Sequence, residues 1–246
     1  MWHVLRSEFR KLTTLRSLYI FLLIVVLMVG IDSILSTRNI AQDVEALSSD
    51  FLLSMVYSAI TVVGTLAAIY VALMMSHEYR YNLIYHTLTT ARSRGRSLLA
   101  KLVTSAVAGS IFVLVAIATA VSGVYIGATM GGAALSVQGV DVWSAVLRSL
   151  IFVNGYTMIG LLLAVLFRNI VAPAVLLLLI PGGVELLLAN LVDWVQAEYL
   201  PFGAIGQLMI QDASLEPTMA VAVFLLYLVP AWLVAGVLFL KRDASS

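Results

Sequence analysis

The sequence predicts an all-α integral membrane protein: six transmembrane helices, an amphipathic interfacial helix before the first, and a second amphipathic helix between the second and third. Three observations predict it. Of the 246 residues 62% are apolar and only 11% charged, against about 45–50% and about 25% in a soluble domain. Six apolar runs reach the roughly 20 residues needed to cross a bilayer. The basic residues gather on one side of those runs. The chain reads as a single transmembrane domain, 1–246, with no internal repeat and no polar segment long enough for a soluble catalytic domain.

Residues 1–16 form the first element. On a helical wheel Trp2, Leu5, Phe9 and Leu12 share a stripe, and His3, Arg6, Ser7, Arg10 and Thr14 lie opposite. This is the pattern of a helix lying in the membrane interface; the plainer alternative is a basic leader that only sets topology. The six spans follow at about 17–37, 51–75, 102–127, 143–167, 170–190 and 218–240. The first has a long basic leader and no small-x-small site after it, which favours a retained span over a cleaved signal. Only Arg168 and Asn169 separate the fourth from the fifth, so these two make a tight hairpin.

Twelve of the 14 Lys and Arg lie before the first span, in 76–101, at Arg168 and after the last span. The other side has Arg38 and Arg148, and carries the acids Asp43, Glu45, Asp50, Asp141, Asp193, Glu198, Asp212 and Glu216. By the positive-inside rule both termini and 76–101 are cytoplasmic; the expected location is the plasma membrane, as a multi-pass protein. Residues 191–217 mix aromatics, acids, Gly and Pro, and read as one or two short helices resting on the outer surface.

Some chemistry is excluded. With no cysteine, disulfides, thiolate metal sites and thiol nucleophiles are ruled out. The "HEYRY" at 77–81 resembles a zinc-protease helix, but Tyr81 stands where the second histidine belongs, so the site fails by a ligand. His3, His77 and His86 all lie outside the spans, which leaves no intramembrane Ser–His pair. No metal or nucleic-acid site is expected.

Inside the membrane the ionisable residues are functional candidates by default. Arg148 and Glu185 each lie about 8 Å below the outer ends of adjacent spans, counting 1.5 Å per residue. They are expected to form an intramembrane ion pair; the alternative is that each reaches the outer surface separately. The adjacent "PGG" at 181–183 marks a kink or an unwound point. Small residues recur every fourth position at Gly64, Ala68 and Ala72, and at Gly123 and Gly127, a spacing that suits close helix packing without naming an interface.

The stretch "SHEYRYNLIYHTLTTARSRGRSLLAK" at 76–101 interrupts two of the most apolar runs. As a helix over 78–91 it places Tyr81, Ile84, Leu88 and Ala91 on one face and Glu78, Asn82, His86 and Thr89 on the other, followed by a basic turn. Such a helix can lie on the membrane or fill a groove in another protein.

This stretch resembles the type-2 ABC export permeases. In them a glutamate ends the second span, a Thr-Leu run forms a cytoplasmic coupling helix, and Arg and Ala-Lys lead into the third. Here Glu78, Leu83, Thr87, Leu88, Arg94, Ala100 and Lys101 match, while Asn82 replaces the usual Gly and the usual Pro near Ala91 is missing. The resemblance implies that Glu78, Arg80, Tyr81, Asn82, Ile84, Tyr85, Thr87 and Leu88 contact ATP-binding cassette ATPase subunits. It also implies a second permease copy or paralogue. The chain has no phosphate-loop motif, so the resemblance puts ATP and Mg in the partner subunit and none in this chain. The expected function is the permease of an ATP-driven exporter for a hydrophobic or amphipathic drug, peptide or lipid. A polytopic membrane enzyme or lipid-binding scaffold without ATP coupling is the alternative.

Overall fold

The structure, a computed structural model, describes residues 2–14, 16–80, 94–169, 171–192 and 196–241. Among them α1 (Trp2–Thr14) precedes α2 (Arg16–Ala41), α3 (Ser49–Arg80), α4 (Arg94–Gly131) and α5 (Val142–Phe167). Then come α6 (Val171–Leu179), a π-helical turn (Ile180–Val184), α7 (Glu185–Leu191), α8 (Pro201–Gly206) and α9 (Pro217–Lys241). Six helical stretches are long and apolar enough to cross a membrane, with α6, the π turn and α7 together making the fifth. The protein is an all-α, multi-pass membrane protein.

Four features differ from the sequence expectation. First, α4 starts at Arg94 and has 38 residues, about 57 Å of helix, well beyond a hydrocarbon core of about 30 Å. The "basic turn" from Arg94 onward is thus the first turns of a helix, which outside the hydrocarbon needs no apolar run. Second, a two-residue parallel pair, β1 (Ala46–Leu47) with β2 (Ala134–Leu135), ties the α2–α3 connection to the α4–α5 connection. The Ala134 N–H donates to the Glu45 carbonyl and the Ser136 N–H to the Leu47 carbonyl, each at 2.9 Å. Third, the PGG segment does not unwind. Pro181 has no N–H to give, and the helix widens into a π turn instead of breaking.

The fourth is the long loop after α7. Phe202, Ala204, Ile205, Leu208 and Met209 are buried, so α8 and the 3-10 turns around it (Ala197–Tyr199 and Gln207–Met209) fold into the mouth of the bundle. Tyr156 of α5 packs edge-on to Phe202 with ring centroids 5.2 Å apart. Burial of these side chains removes the apolar area that a helix merely resting on the surface would leave in water.

The expected hairpin between the fourth and fifth spans is present. Asp141 caps the start of α5, its carboxylate accepting from the Ser144 N–H at 3.1 Å. Arg168 ends α5 in the left-handed conformation (φ 51°), and the Asn169 side-chain carbonyl accepts from the Val171 N–H at 2.7 Å to start α6. Ser76, near the end of α3, donates to the Asn169 carbonyl at 3.0 Å, which anchors the hairpin.

The core is α3, flanked by α4 and α5. Tyr70 of α3 lies between Phe21 of α2 and Phe112 of α4, with centroids 5.7 and 5.6 Å away. The small residues of the sequence find their interfaces. A side-chain carbon at Gly123 would lie 2.7 Å from Ser33 Cβ, and at Gly127 2.7 Å from the Ile34 carbonyl, so α4 seats α2 on a Gly-lined strip. Gly64 faces Phe152, and Gly160 lies against the Ala68 backbone, which lets α3 and α5 meet closely.

Candidate functional site

At the end of the bundle that carries the termini, α1 lies across the start of α4. Its buried residues are Val4, Glu8 and Leu12, one turn apart on a single stripe. Val4 and Leu5 pack with Ala100 of α4, and Leu12 joins the main core. An acid thus sits at the centre of an apolar face. Glu8, Glu78 and Lys101 are 1%, 3% and 4% exposed, and burying any of them alone would be strongly unfavourable.

Their compensation is mutual. Lys11 Nζ lies 2.7 Å from Glu8 Oε1 and 2.8 Å from Glu78 Oε1. Lys101 Nζ lies 2.6 Å from Glu78 Oε2 and 3.4 Å from Glu8 Oε2. Each carboxylate touches both ammonium groups, so the four side chains close a ring of zero formal charge across α1, α3 and α4. Burial works to lower the Lys11 pKa, but the Glu78 and Glu8 carboxylates outweigh it and hold it above the ordinary lysine value. A raised pKa stabilises the fold below the ordinary lysine pKa, and that share is lost as pH rises through the shifted value. The contribution of Lys11 is therefore present at neutral pH and lost in strong alkali.

Of the residues expected at the partner surface, Glu78 is in this ring and Arg80 ends α3. Tyr81, Asn82, Ile84, Tyr85, Thr87 and Leu88 lie outside the described residues. Helices α3 and α4, which flank residues 81–93, are the two that the ring joins to α1. Sequence reasoning had matched Glu78 and Lys101 as separate positions, taken Lys11 for part of a basic leader, and missed Glu8. The available signal was the acid between Val4 and Leu12 at four-residue spacing.

The expected ion pair of Arg148 with Glu185 is not formed among the described residues. Both oxygens of Glu185 are taken by the start of α8: Oε1 accepts from the Phe202 N–H at 2.9 Å and Oε2 from the Gly203 N–H at 2.8 Å. The first N–H groups of a helix have no partner within it and favour an anion, so they satisfy the carboxylate in place of Arg148. Gly203 is required because its backbone lies against the Ala197 carbonyl, where a side chain has no room. Replacing Glu185 by Gln keeps the size but loses two charge-assisted bonds, an expected cost of about 2 kcal/mol. Limited proteolysis should then cut within 196–209 at least several-fold faster than in the wild type; equal rates would show that Glu185 does not hold this loop.

The ring contains no nucleophile or metal ligand set. It ties α1 to the end of α3 and the start of α4. Compared with known families, the chain matches a family described as ABC-2 family transporter protein over residues 4–181. That range takes in the ring, the 81–93 segment and the first four spans. No curated protein matches the chain.

Proposed function

Since this chain belongs to the ABC-2 family of transporter proteins, whose match covers more than half its length, and is thus the permease part of an ABC transporter, we propose that it drives export together with a separate ATPase subunit. ATP and Mg bind in that subunit, which docks on the coupling helix over 79–91. Both termini are cytoplasmic, as the basic residues favour, and the membrane is the plasma membrane. A second permease, a copy or a paralogue, completes the pathway. The spans offer apolar, Ser, Thr and Tyr side chains and few charges, which suits a hydrophobic or amphipathic substrate.

The observation that carries this reading is the buried ring at the ends of α3 and α4. A loop that only connects two spans needs no such joint. A loop that receives force from a moving subunit does, because the push must reach the spans without being absorbed at a hinge. The ring supports a path from 79–91 into α3 and α4 and, through Glu8 and Lys11, into the interfacial helix.

Leu88→Asp tests the docking. A charge on an apolar anchor is expected to cost about 2 kcal/mol or more of binding, about thirtyfold in affinity. The variant should fold normally, judged by its melting curve, yet fail to retain the ATPase on co-purification and fail to stimulate it. Retention and stimulation at wild-type levels would remove the coupling-helix assignment.

A further inference from the structure

At the end of the bundle opposite the termini, α3 and α5 run side by side in the same direction. Each has an acid at its start and another polar residue seven positions on: Asp50 and Tyr57 on α3, Asp141 and Arg148 on α5. Seven residues of helix advance about 10 Å. With Leu53 and with Asp212 from the loop before α9, these four line a cavity of about 440 Å³, within the size range of small-molecule sites. The three acids are exposed and form the rim. Tyr57 is 5% exposed and Arg148 partly buried, and they form the floor.

Among the described residues, neither the Tyr57 hydroxyl nor the Arg148 guanidinium makes a hydrogen bond or ion pair. Both side chains line the same open space, so their bonding capacity is available to a bound group. We propose that this cavity binds a zwitterion of the phosphoethanolamine type, the phosphate on Arg148 and Tyr57 and the amine at the rim carboxylates.

The arrangement selects against simpler ligands. A plain anion must pass three carboxylates to reach one guanidinium. A plain cation is held at the rim and leaves the floor unused. A ligand with its phosphate and amine on a short flexible link can occupy floor and rim together, as phosphoethanolamine can. Phosphate below and amine above is also the order that a zwitterionic phospholipid of the adjacent leaflet presents, so the same chemistry is available from lipid or from water.

Binding can be measured on the isolated chain, so it does not depend on ATP coupling. The purified full-length chain in detergent is titrated with phosphoethanolamine, ethanolamine and inorganic phosphate. In a second arm, native mass spectrometry measures retained lipid from vesicles of equal phosphatidylethanolamine and phosphatidylglycerol. Phosphoethanolamine should bind at least tenfold more tightly than ethanolamine or phosphate. Arg148→Gln should weaken it about tenfold or more and Tyr57→Phe several-fold, each by loss of a bond to a charged group. Tyr57→Phe keeps the ring, so its effect stands even if Arg148→Gln misfolds. Preference for phosphatidylethanolamine that Arg148→Gln abolishes makes lipid the source; titration alone, without lipid preference, makes it the soluble zwitterion. The site is overturned if neither probe binds, if ethanolamine binds as tightly as phosphoethanolamine, or if neither variant changes binding.

Discussion

Glu78→Ala is expected to destabilise the detergent-solubilised chain by about 3–5 kcal/mol, the usual cost of orphaning a buried charge. Among the described residues, the substitution leaves Lys101, 4% exposed, with the 3.4 Å contact to Glu8 as its remaining ion pair. Lys11 loses a 2.8 Å partner too, but its side chain is 28% exposed and can turn toward water. The loss should therefore fall mainly on Lys101. Glu78→Ala with Lys101→Met removes both charges and should recover part of the stability. The check is chemical unfolding of the wild type, both single variants and the double, read as a cycle. Additive losses would mean that Glu78 and Lys101 do not interact. Lys11→Met should destabilise as well, because among the described residues it leaves Glu8, 1% exposed, with the 3.4 Å contact to Lys101, but less than Glu78→Ala, because the 2.6 Å Lys101–Glu78 contact remains.

The second large effect is expected at Gly160. A side-chain carbon there meets the backbone of Ala68, not a side chain that can move aside. Gly160→Val must push α5 away from α3, and overpacking of this kind costs about 3 kcal/mol. Gly160→Ala should cost less but in the same direction, although Ala is the better helix former by about 1 kcal/mol. That sign is the test. If Ala is neutral or stabilising in thermal melts, the helices are further apart at this point than the packing indicates.

The parts of the fold legible in the sequence were those set by local composition. Six apolar runs and the side on which lysine and arginine gather need no knowledge of neighbours. The start of α4 was missed because Arg94–Ser97 lie beyond the hydrocarbon, where helix no longer implies apolar. Glu8 was missed because its burial depends on Lys101, 93 positions away, and no local pattern carries that. For Arg148 and Glu185 the depth could be counted but not the direction. The π turn before Glu185 changes the helical phase, and the α8 N–H groups that meet the carboxylate belong to a loop whose re-entry composition alone does not show. The Gly strip on α4 showed its spacing in advance, while its partner, α2, emerged only from the packing.

The short parallel pairing of β1 with β2 has a dynamic consequence. It joins the connections at the far ends of α3 and α4, while the charged ring joins their near ends. Two helices fixed to each other at both extremities resist sliding lengthwise, so they can tilt as one strut but not shear. The fifth and sixth spans have only 17% of their most apolar windows buried. Freedom is therefore unevenly distributed: amide exchange should be slowest in the middle of α3 and α4 and fastest around the π turn, which marks α6, α7 and α9 as the compliant wall of the molecule.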